Sequence, residues 1–417
     1  MSTSNKDLAR RLRRVESRNV TYISREFPIF WERAAGSFVW DVEGKKYLDL
    51  TSAFGVTSLG HRPPVMEEAI HRQAAKLWHG MGDVHPSEVK VELLEALADL
   101  LPKPLEVSIL SSSGAEAVES ALKTARLYTR RPGVIAFEGG YHGLTYGAMA
   151  ATHRSDFRAP FHDQTAPFVR HLPYPDSLRG PSEKECLYAV ERCLIENKQM
   201  GAILVEPIQG RGGVRIPGTS FLKGLRRLAT STSVLLIVDE VFTGFGRTGK
   251  DFAFQHAGIV PDLVCVGKAL ANGFPISACI GSHKIMNAWP ESDGEAIHTS
   301  TFLGNPLGCA MGVASLREFR KNHLSARSAE LGRWWKRDLQ SKLGRHPHVE
   351  EIRGEGLMIG IEMTNAARAG HVMREALKEG LLLLTGGSRR NVLTLTPPLT
   401  IEKEDLVKAM QVLGRLL

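Results

Sequence analysis

The sequence lacks the features that mark several classes of protein. None of its apolar stretches approaches the roughly 20 residues that a membrane-spanning helix requires. It has no Cys-x-x-Cys pair, and its five cysteines are scattered along a chain too large to be a disulfide scaffold. We therefore expect no membrane helix, reduced thiols and a cytoplasmic location. The cysteines are Cys186, Cys193, Cys265, Cys279 and Cys309.

Internal repeats, low-complexity tracts and Gly/Ser-rich linkers are also missing from the sequence. The 417 residues suffice for one large domain with a smaller one, or for two domains of ordinary size. A content of 43% hydrophobic and 24% charged residues is typical of a soluble globular protein. We expect no metal site.

Half of the net charge of +8 lies near the N-terminus, where six basic and two acidic side chains give residues 1–20 a net charge of +4. This arm lacks the hydrophobic core of a secretory signal, and its acidic residues argue against a mitochondrial presequence. We expect a solvated helix or an arm that packs on a partner subunit. Because no basic patch is interleaved with aromatic residues, we expect no nucleic-acid partner.

The middle of the chain alternates short apolar runs with amphipathic stretches, which predicts a mostly parallel sheet covered by helices, an α/β core over about residues 60–310. Strands are predicted at 107–110, 133–137, 202–205, 234–238, 263–266 and 276–280. Helices are predicted at 89–100, 114–129, 187–197 and 222–230.

Both ends of the chain show a different pattern. Residues 37–50 alternate around the Glu43-Gly44 turn and predict a hairpin. After about residue 325 the sequence predicts a helix, a run at 357–363, a helix at 367–379, strands at 381–384 and 392–396, and a last helix at 402–417. Strands and helices from both ends could build one small α+β domain. The expected division is 1–59 (N-terminal arm and part of the small domain), 60–325 (large domain) and 326–417 (C-terminal small domain).

Two of the predicted strands deliver an amine and a carboxylate to one edge of the sheet. Lys268 follows the run 262–266, and Asp239 ends the run 234–238. A lone lysine is usually surface charge, but this one lies between apolar residues, and a partly buried lysine becomes nucleophilic toward an aldehyde. An enzyme of pyridoxal phosphate needs this pair, because the amine forms an imine and the anion keeps the pyridine nitrogen protonated.

Other strand ends could hold the rest of such a cofactor. Gly114 and Ala115 open a helix after a strand, where free N–H groups bind a phosphate, although an ordinary serine cap is the commoner explanation. Tyr141 offers a flat ring, and the neighbouring His142 could be catalytic or could support another residue. Glu206 ends a further strand at the edge where open α/β sheets bind ligands, but a solvated loop acid is an equal interpretation.

A nucleotide-binding interpretation competes for one stretch. Residues 235–240 resemble the Walker B pattern, and residues 244–250 resemble a P-loop ending at Lys250. However, Asp251 stands where a P-loop needs Ser or Thr for magnesium, and no strand leads directly into the loop. A P-loop nucleotide-binding protein therefore stays a distant alternative.

Taken together and in order, these motifs resemble the class III pyridoxal phosphate-dependent aminotransferases, of fold type I. The resemblance runs almost from end to end of the chain. Its most specific parts are residues 113–117 (SGAEA), 141–143 (YHG), 239–241 (DEV), 244–249 (GFGRTG), 267–269 (GKA), 301–302 (TF) and 304–306 (GNP).

The resemblance implies a role for each matching residue. Lys268 would carry pyridoxal 5′-phosphate as a Schiff base and move the reacting proton, and Asp239 would pair with the pyridine nitrogen. Tyr141 and Val241 would lie on the two faces of the ring. The residues implied to contact the phosphate are Gly114 and Ala115, with Thr301 reaching the phosphate of the neighbouring subunit. The active unit would then be a homodimer or a dimer of dimers, and Glu206 and His142 would support the cofactor.

Three positions depart from the family's common pattern. Phe242 stands where many relatives have a Gln that reaches the ring hydroxyl. Thr394 stands where amino-acid-specific members often have a carboxylate-binding Arg, and Arg211 stands where they have a Glu that gates it. We hypothesise that Arg211 takes over carboxylate recognition, with Arg389 and Arg390 as lesser candidates; the alternative is that Arg211 points to solvent.

The predicted activity is that of a transaminase, which moves an amino group from an amine or amino acid to a keto acid. Phe54 could line the substrate pocket, although core packing explains it equally well. An amino acid racemase or epimerase would use the same Lys268 and Asp239 and is the alternative within the fold.

Overall fold

The structure is a computed structural model that describes residues 4–165 and 167–417. Within these residues the chain forms three sheets, the largest of seven strands. The strands are β1 (Trp31–Ala35), β2 (Phe38–Asp41), β3 (Lys46–Asp49), β4 (Val107–Ser111), β5 (Gly133–Phe137), β6 (Val169–Leu172), β7 (Met200–Val205), β8 (Leu235–Asp239), β9 (Leu263–Val266), β10 (Ser277–Gly281), β11 (Val349–Glu355), β12 (Met358–Met363), β13 (Leu381–Leu382), β14 (Leu384–Gly386) and β15 (Val392–Leu395). The helices are α1 (Asn5–Val15), α2 (Ser52–Gly55), α3 (Pro64–Ala74), α4 (Glu88–Leu100), α5 (Gly114–Thr129), α6 (Tyr146–Ala151), α7 (Ser155–Arg158), α8 (Glu183–Glu196), α9 (Thr219–Thr232), α10 (His283–Met286), α11 (Pro306–Lys321), α12 (Leu324–Leu343), α13 (Ala366–Lys378) and α14 (Lys403–Leu416).

The seven-stranded sheet has the order β4-β10-β9-β8-β7-β5-β6, and β10 runs antiparallel to both of its neighbours. The other pairs are parallel, so the expected mostly parallel sheet is confirmed. All six predicted strands of this region are present, with ends within two residues of those expected. The edge strand β6 was not predicted.

Alternating residues of the central strands pack into two different cores. Leu236 and Val238 of β8 lie in the core that contains α9, whereas Leu235 and Ile237 lie in the core that contains the apolar face of α5. Because both faces are buried, these strands consist of continuous apolar residues rather than alternating ones.

The two chain ends meet in a shared sheet. The predicted hairpin is formed by β2 and β3, and β13 from the C-terminal region pairs in parallel with β3. The remaining C-terminal strands form a sheet of order β11-β12-β15-β14. The small α+β region built from both ends is thus confirmed, with β1 and β11 as strands that were not predicted. The boundaries at 59/60 and 325/326 stay a prediction.

The basic N-terminal arm forms helix α1, which packs on the N-terminal hairpin. Asn5 donates to Asp41 Oδ2 at 3.1 Å and accepts from the N–H of Phe30 at 2.7 Å. Ala9 is also buried, so one side of the helix contacts the same chain. None of the helices in the described ranges is both long and apolar enough to cross a membrane.

Candidate active site

The carboxyl ends of five strands deliver polar residues to one edge of the large sheet. Strands β8 and β9 are parallel neighbours in which Asp239 pairs with Cys265, so Lys268 follows three residues beyond the partner of Asp239. Strand β4 leads into α5, β5 leads into Tyr141 and His142, and β7 leads into Glu206. This edge contains two adjoining cavities.

The first cavity has a volume of about 280 Å³ and will be called the Asp239 cavity. Its lining includes Gly114, Ala115, Tyr141, His142, Glu206, Arg211, Asp239, Val241, Phe242 and Lys268. Lys268 and Asp239, the amine and carboxylate expected at one edge of the sheet, both line this cavity. It also gathers most of the other residues that the sequence analysis named.

Lys268 lies in an electrostatic environment that weakens its hold on a proton. Burial lowers the pKa of its amine, Asp239 and Glu206 partly oppose this effect, and Arg211 reinforces it. The residue has a φ of +42°, in the left-handed region that side chains other than glycine rarely adopt. The backbone is thus held in an unfavourable conformation at the residue that presents the amine.

Asp239 is buried and held by two hydrogen bonds. His142 Nδ1 lies 2.8 Å from Asp239 Oδ2, and the N–H of Val241 donates to Asp239 Oδ1 at 3.0 Å. Burial alone would lower the pKa of His142, but the hydrogen bond and charge of Asp239, with the charge of Glu206, raise it above its usual value. His142 therefore supports Asp239 from within the protein.

Glu206 holds two segments of the cavity wall in place. Its carboxylate accepts from the N–H of Tyr141 at 2.9 Å and from the N–H of Gly210 at 3.1 Å. Burial, together with the nearby charge of Asp239, raises the pKa of Glu206 to about 7 although His142 and these N–H groups oppose it.

The start of helix α5 provides an anion-binding position. Ser113 and Glu116 form a capping box, and the N–H groups of Gly114 and Ala115 donate to no described protein group. A Cβ atom on Gly114 would lie 2.8 Å from Val241 Cγ1, so only glycine lets Val241 approach the helix start this closely.

The second cavity has a volume of about 390 Å³ and will be called the Phe54 cavity. It shares Tyr141, Arg211, Phe242 and Lys268 with the Asp239 cavity. The residues that line only the Phe54 cavity are Thr51, Phe54, Arg154, Gly210, Leu384, Thr385, Gly386, Thr394 and Thr396. Phe54 is 65% exposed and lies in a left-handed turn, so it belongs to this wall rather than to the core.

Arg211 lies at the junction of the two cavities and stacks on aromatic rings. Its guanidinium carbon is 4.5 Å from the centre of the Tyr141 ring and 5.5 Å from that of Phe157. Arg390, a lesser candidate, lines neither cavity and instead pairs with Asp156 at 3.5 Å. Arg389 is likewise absent from both linings.

Phe242 and Arg154 are site residues that sequence reasoning missed. The sequence marked Phe242 only as a departure, yet its ring lines both cavities and lies 4.5 Å from Lys268 Nζ. Arg154 lies in a polar loop with no motif of its own. Both reach the site through contacts between segments distant in sequence, which no local pattern reveals.

Thr301 does not line either cavity of its own chain and is exposed. Its loop is held to residues 78–83, since Asn305 Nδ2 donates to the Trp78 carbonyl at 3.2 Å and Thr299 donates to Asp83 at 2.8 Å.

The apparent P-loop does not have the geometry of a nucleotide site. Residues 241–250 form successive turns, and the next element is a short 3₁₀ helix at 253–257 instead of an α-helix that could hold a phosphate. Arg247 of this stretch is fully buried and donates to the backbone carbonyls of Leu357 and Pro397. The stretch joins parts of the fold, and the nucleotide-binding alternative is wrong.

Comparison with known proteins supports one family. The family model described as aminotransferase class-III matches residues 21–417. The chain belongs to the class III aminotransferase family. The enzyme is 39% identical to the acetylornithine aminotransferase of Methanopyrus kandleri, over 92% of this chain and 93% of that one. It is 35% identical to the 4-aminobutyrate aminotransferase of Mycobacterium leprae, over 99% and 95%.

The same likeness appears among solved structures. The ornithine aminotransferase of Toxoplasma gondii, whose structure has partial occupancy of pyridoxal phosphate at the active site, matches this aminotransferase with a TM-score of 0.90 and 30% identity. The match covers 100% of this chain and 94% of that one. The enzyme thus has the fold of pyridoxal phosphate-dependent aminotransferases.

The Asp239 cavity of this aminotransferase fits pyridoxal 5′-phosphate. It offers an amine, a buried carboxylate and a helix start with free N–H groups, which match the aldehyde, ring nitrogen and phosphate of the cofactor. The enzyme uses this cofactor and transfers an amino group from an amine or amino acid to a keto acid, and the family supports this reaction over the racemase or epimerase alternative.

Proposed function

We propose that Lys268 and Asp239 carry the transamination of this enzyme. When bound, pyridoxal phosphate supplies an aldehyde for the amine and a ring that takes up the electron pair of the reacting carbon. Lys268 Nζ would hold that aldehyde, and the same amine would take the proton from the substrate carbon that bears the nitrogen. The observation that supports this proposal is that Lys268 and Asp239 line one cavity of about 280 Å³.

The surroundings suit each residue to its task. An amine with a lowered pKa is unprotonated more often at neutral pH and can attack or accept a proton. Asp239 would pair with the protonated ring nitrogen, and His142, 2.8 Å from Asp239 Oδ2, holds that carboxylate in position. Each unit of pKa that a carboxylate adds to the ring nitrogen is worth about 1.36 kcal/mol in favour of the protonated ring.

The remaining residues of the Asp239 cavity hold the cofactor. We assign the two faces of the ring to Tyr141 and Val241, and the phosphate to the N–H groups of Gly114 and Ala115. Glu206 fixes Tyr141 through its backbone N–H, so we assign it to orientation of the ring stack.

Arg211 is the proposed binding residue for the substrate carboxylate. It lines both cavities, and stacking on Tyr141 leaves the edge of its guanidinium free for two parallel hydrogen bonds. The named substrates of two relatives, acetylornithine and 4-aminobutyrate, both carry a carboxylate. Phe54 is assigned to the apolar wall that faces the rest of the substrate.

The active unit is proposed to be a homodimer or a dimer of dimers. Thr301 lies outside the cavities of its own chain, and its loop carries or contacts two exposed apolar residues: Phe302 is 63% exposed, and Trp78, whose carbonyl accepts from Asn305, is 69% exposed. A second subunit would cover these rings and place Thr301 near its phosphate position. In solution, Trp78→Asp with Phe302→Asp should shift the molar mass from dimer to monomer; a wild-type monomer contradicts the assignment. The cytoplasmic location stays a prediction.

A donor screen tests the proposed reaction. The purified enzyme is mixed with single amines and amino acids while the absorbance of the bound cofactor is recorded, and a keto acid is then added. We expect productive donors to bleach the cofactor band and the keto acid to restore it. An enzyme that racemises one enantiomer without bleaching would contradict transamination.

Arg211 is tested separately by its substitution with alanine. The KM for a keto acid acceptor should rise by about tenfold or more, as expected for loss of a charge-assisted contact. The KM for an aldehyde acceptor without a carboxylate should stay unchanged. An unchanged KM for the keto acid would remove Arg211 from the proposal.

A further inference from the structure

The Phe54 cavity contains more positive charge than one carboxylate requires. Its lining contains two arginines, Arg154 and Arg211, besides Lys268, whose amine is assigned to the cofactor, and none of its lining residues is Asp or Glu. Among the described residues, Arg211 has no carboxylate within ion-pairing distance. A cavity of this composition favours a substrate with more than one negative charge.

Arg154 and Arg211 are arranged around a single aromatic ring. Their guanidinium carbons lie 4.7 Å and 5.5 Å from the centre of the Phe157 ring, so the two charges are at most about 10 Å apart. Phe157 in turn contacts Tyr141 edge to face at 5.7 Å between ring centres. Stacking on aromatic rings orients both planar guanidinium groups without using their N–H donors.

Arg154 already binds a carboxylate, that of Asp156. Its Nε lies 3.0 Å from Asp156 Oδ1, and its Nη2 contacts Oδ2, which gives a two-point contact. The Arg154 side chain is 22% exposed and that of Asp156 is 46% exposed. A partly solvated pair of this kind is worth about 0–1 kcal/mol, so a carboxylate inside the cavity can compete for Arg154.

Asp156 has a second cation that can stay with it. Arg390, from the turn after β14, approaches Asp156 Oδ2 at 3.5 Å, is 70% exposed and lines neither cavity. If Arg154 turns to a substrate, Asp156 keeps a positive neighbour. The exchange of partners therefore leaves no carboxylate unpaired.

We propose that Arg154 is a specificity residue that exchanges Asp156 for a second acidic group of the substrate in the Phe54 cavity. This inference rests on the proposed function and extends it. Arg211, which lines both cavities, binds the carboxylate beside the reacting carbon; Arg154, which lines the Phe54 cavity alone, binds an acidic group at the other end. The enzyme then selects substrates with two acidic groups over equally long substrates with one.

The test compares two five-carbon acceptors, 2-oxopentanedioate and 2-oxopentanoate, in the cofactor-loaded enzyme. Arg154→Ala should lower kcat/KM for the diacid by about tenfold or more, mainly through KM, and change it for the monoacid by less than about twofold. Asp156→Asn should lower the KM for the diacid because it frees Arg154. Arg389→Ala, at an exposed position that lines neither cavity, is the matched control and should leave the ratio of the two kcat/KM values unchanged.

A binding measurement provides a readout that is independent of turnover. Pentanedioate and pentanoate, which cannot react, are titrated into the loaded enzyme by calorimetry. Arg154→Ala should weaken pentanedioate binding by about tenfold or more and leave pentanoate binding unaltered.

The outcomes separate this inference from the proposed function. Equal losses for both acids in Arg154→Ala, or no loss for either, would overturn the role of Arg154 even though the enzyme transaminates. An enzyme that transfers an amino group to neither acceptor, and none to an aldehyde, would overturn the proposed function itself.

Discussion

The side-chain nitrogen of Lys268 lies 4.5 Å from the centre of the Phe242 ring. Two glycines make room for this ring: a Cβ atom on Gly210 would lie 2.1 Å from Phe242 Cδ1, and one on Gly55 would lie 2.3 Å from Cε2. The backbones of these two glycines therefore pack closely against the Phe242 ring and hold it beside the reactive amine.

Gly210→Ala is expected to displace the Phe242 ring from its position beside Lys268. The added methyl group cannot share its position with the ring, and overpacking of this kind typically costs about 1–3 kcal/mol of stability. Turnover should fall, and the double variant Gly210→Ala with Phe242→Ala should recover part of the lost stability. A thermal unfolding series measures both effects.

Gly370→Ala provides the control for this substitution. Gly370 lies within α13, and a Cβ atom added there would meet only the flexible end of the Arg374 side chain, one turn further along the same helix, at 3.3 Å. Alanine favours a helix interior over glycine by roughly 0.5–1 kcal/mol, so this variant should be as stable as the wild type or more stable. If Gly210→Ala behaved in the same way, the wedged position of Phe242 would be wrong.

Lys268→Ala should retain the cofactor without a covalent bond and lose transamination. The helix start and Asp239 remain to hold the phosphate and ring, whereas no other amine lines the Asp239 cavity in the described chain. Lys250→Ala, at an exposed position of the former P-loop candidate, should keep full activity. Absorbance after denaturation and borohydride reduction distinguishes bound from attached cofactor. Continued turnover in Lys268→Ala would refute the assignment.

Glu240→Gln should change how stability depends on pH. Glu240 is fully buried; it accepts from the N–H of Phe254 at 2.8 Å, and its burial raises the pKa of its carboxyl from 4.5 to about 7. The folded protein therefore binds a proton there more tightly than the unfolded chain, and this contribution to stability falls as pH rises from about 4.5 to about 7. Glutamine keeps the shape and cannot ionise.

The free energy of unfolding of Glu240→Gln should thus rise relative to the wild type as the pH increases across this interval. The limiting slope is about 1.4 kcal/mol per pH unit. Urea titrations at pH 5, 6, 7 and 8 measure the difference. A constant difference across these values would show that the carboxyl of Glu240 ionises normally in the folded protein.

Arg247→Lys should destabilise the protein by about 1.5–3 kcal/mol, the range for losing hydrogen bonds to a buried charged group. Arg247 Nη1 donates to the Leu357 carbonyl at 3.0 Å, and Nη2 lies near the hydroxyls of Ser52 and Ser58 at 3.4 and 3.3 Å. A lysine cannot reach all of these acceptors. Arg415→Lys, at an exposed pair with Glu379, should have no measurable effect. Equal melting temperatures for the two variants would contradict this role of Arg247.

The sequence predicted the strands, and most of the residues that line the Asp239 cavity, because those signals are local. Apolar runs such as 133–137 and 263–266 are buried on both faces, and each motif follows directly at a strand end. Strand β11 was not predicted because its sequence, VEEIRGE, is mostly polar. Strand β6 was not predicted because its sequence, VRHL, is too short to show a pattern. The pairing of β13 with β3 joins residues more than 300 positions apart, which no local pattern encodes.

The substrate side of the site was harder to derive. The wall of the Phe54 cavity combines Phe54, Arg154 and Thr394, which come from three segments distant in sequence. These residues become neighbours only when both ends of the chain pack beside the large sheet. The sequence noted that Phe242 and Arg211 depart from the family pattern but could not place either side chain. Arg154 has two possible carboxylate partners, Asp156 and a substrate, and this choice becomes visible only in the folded cavity.

Four consecutive residues, Ser52 to Gly55, have positive φ values between 47° and 77°, and buried Arg247 lies within reach of the first. The Ser52 hydroxyl also donates to the Thr396 carbonyl at 2.6 Å, and the N–H of Ala53 donates to Asp49 at 3.1 Å. Side chains in such a turn can be exchanged more safely than its backbone can be lengthened or shortened, since a change of length would break these contacts together. Engineering toward bulkier amines should therefore begin with a smaller side chain at position 54 and leave the loop length alone.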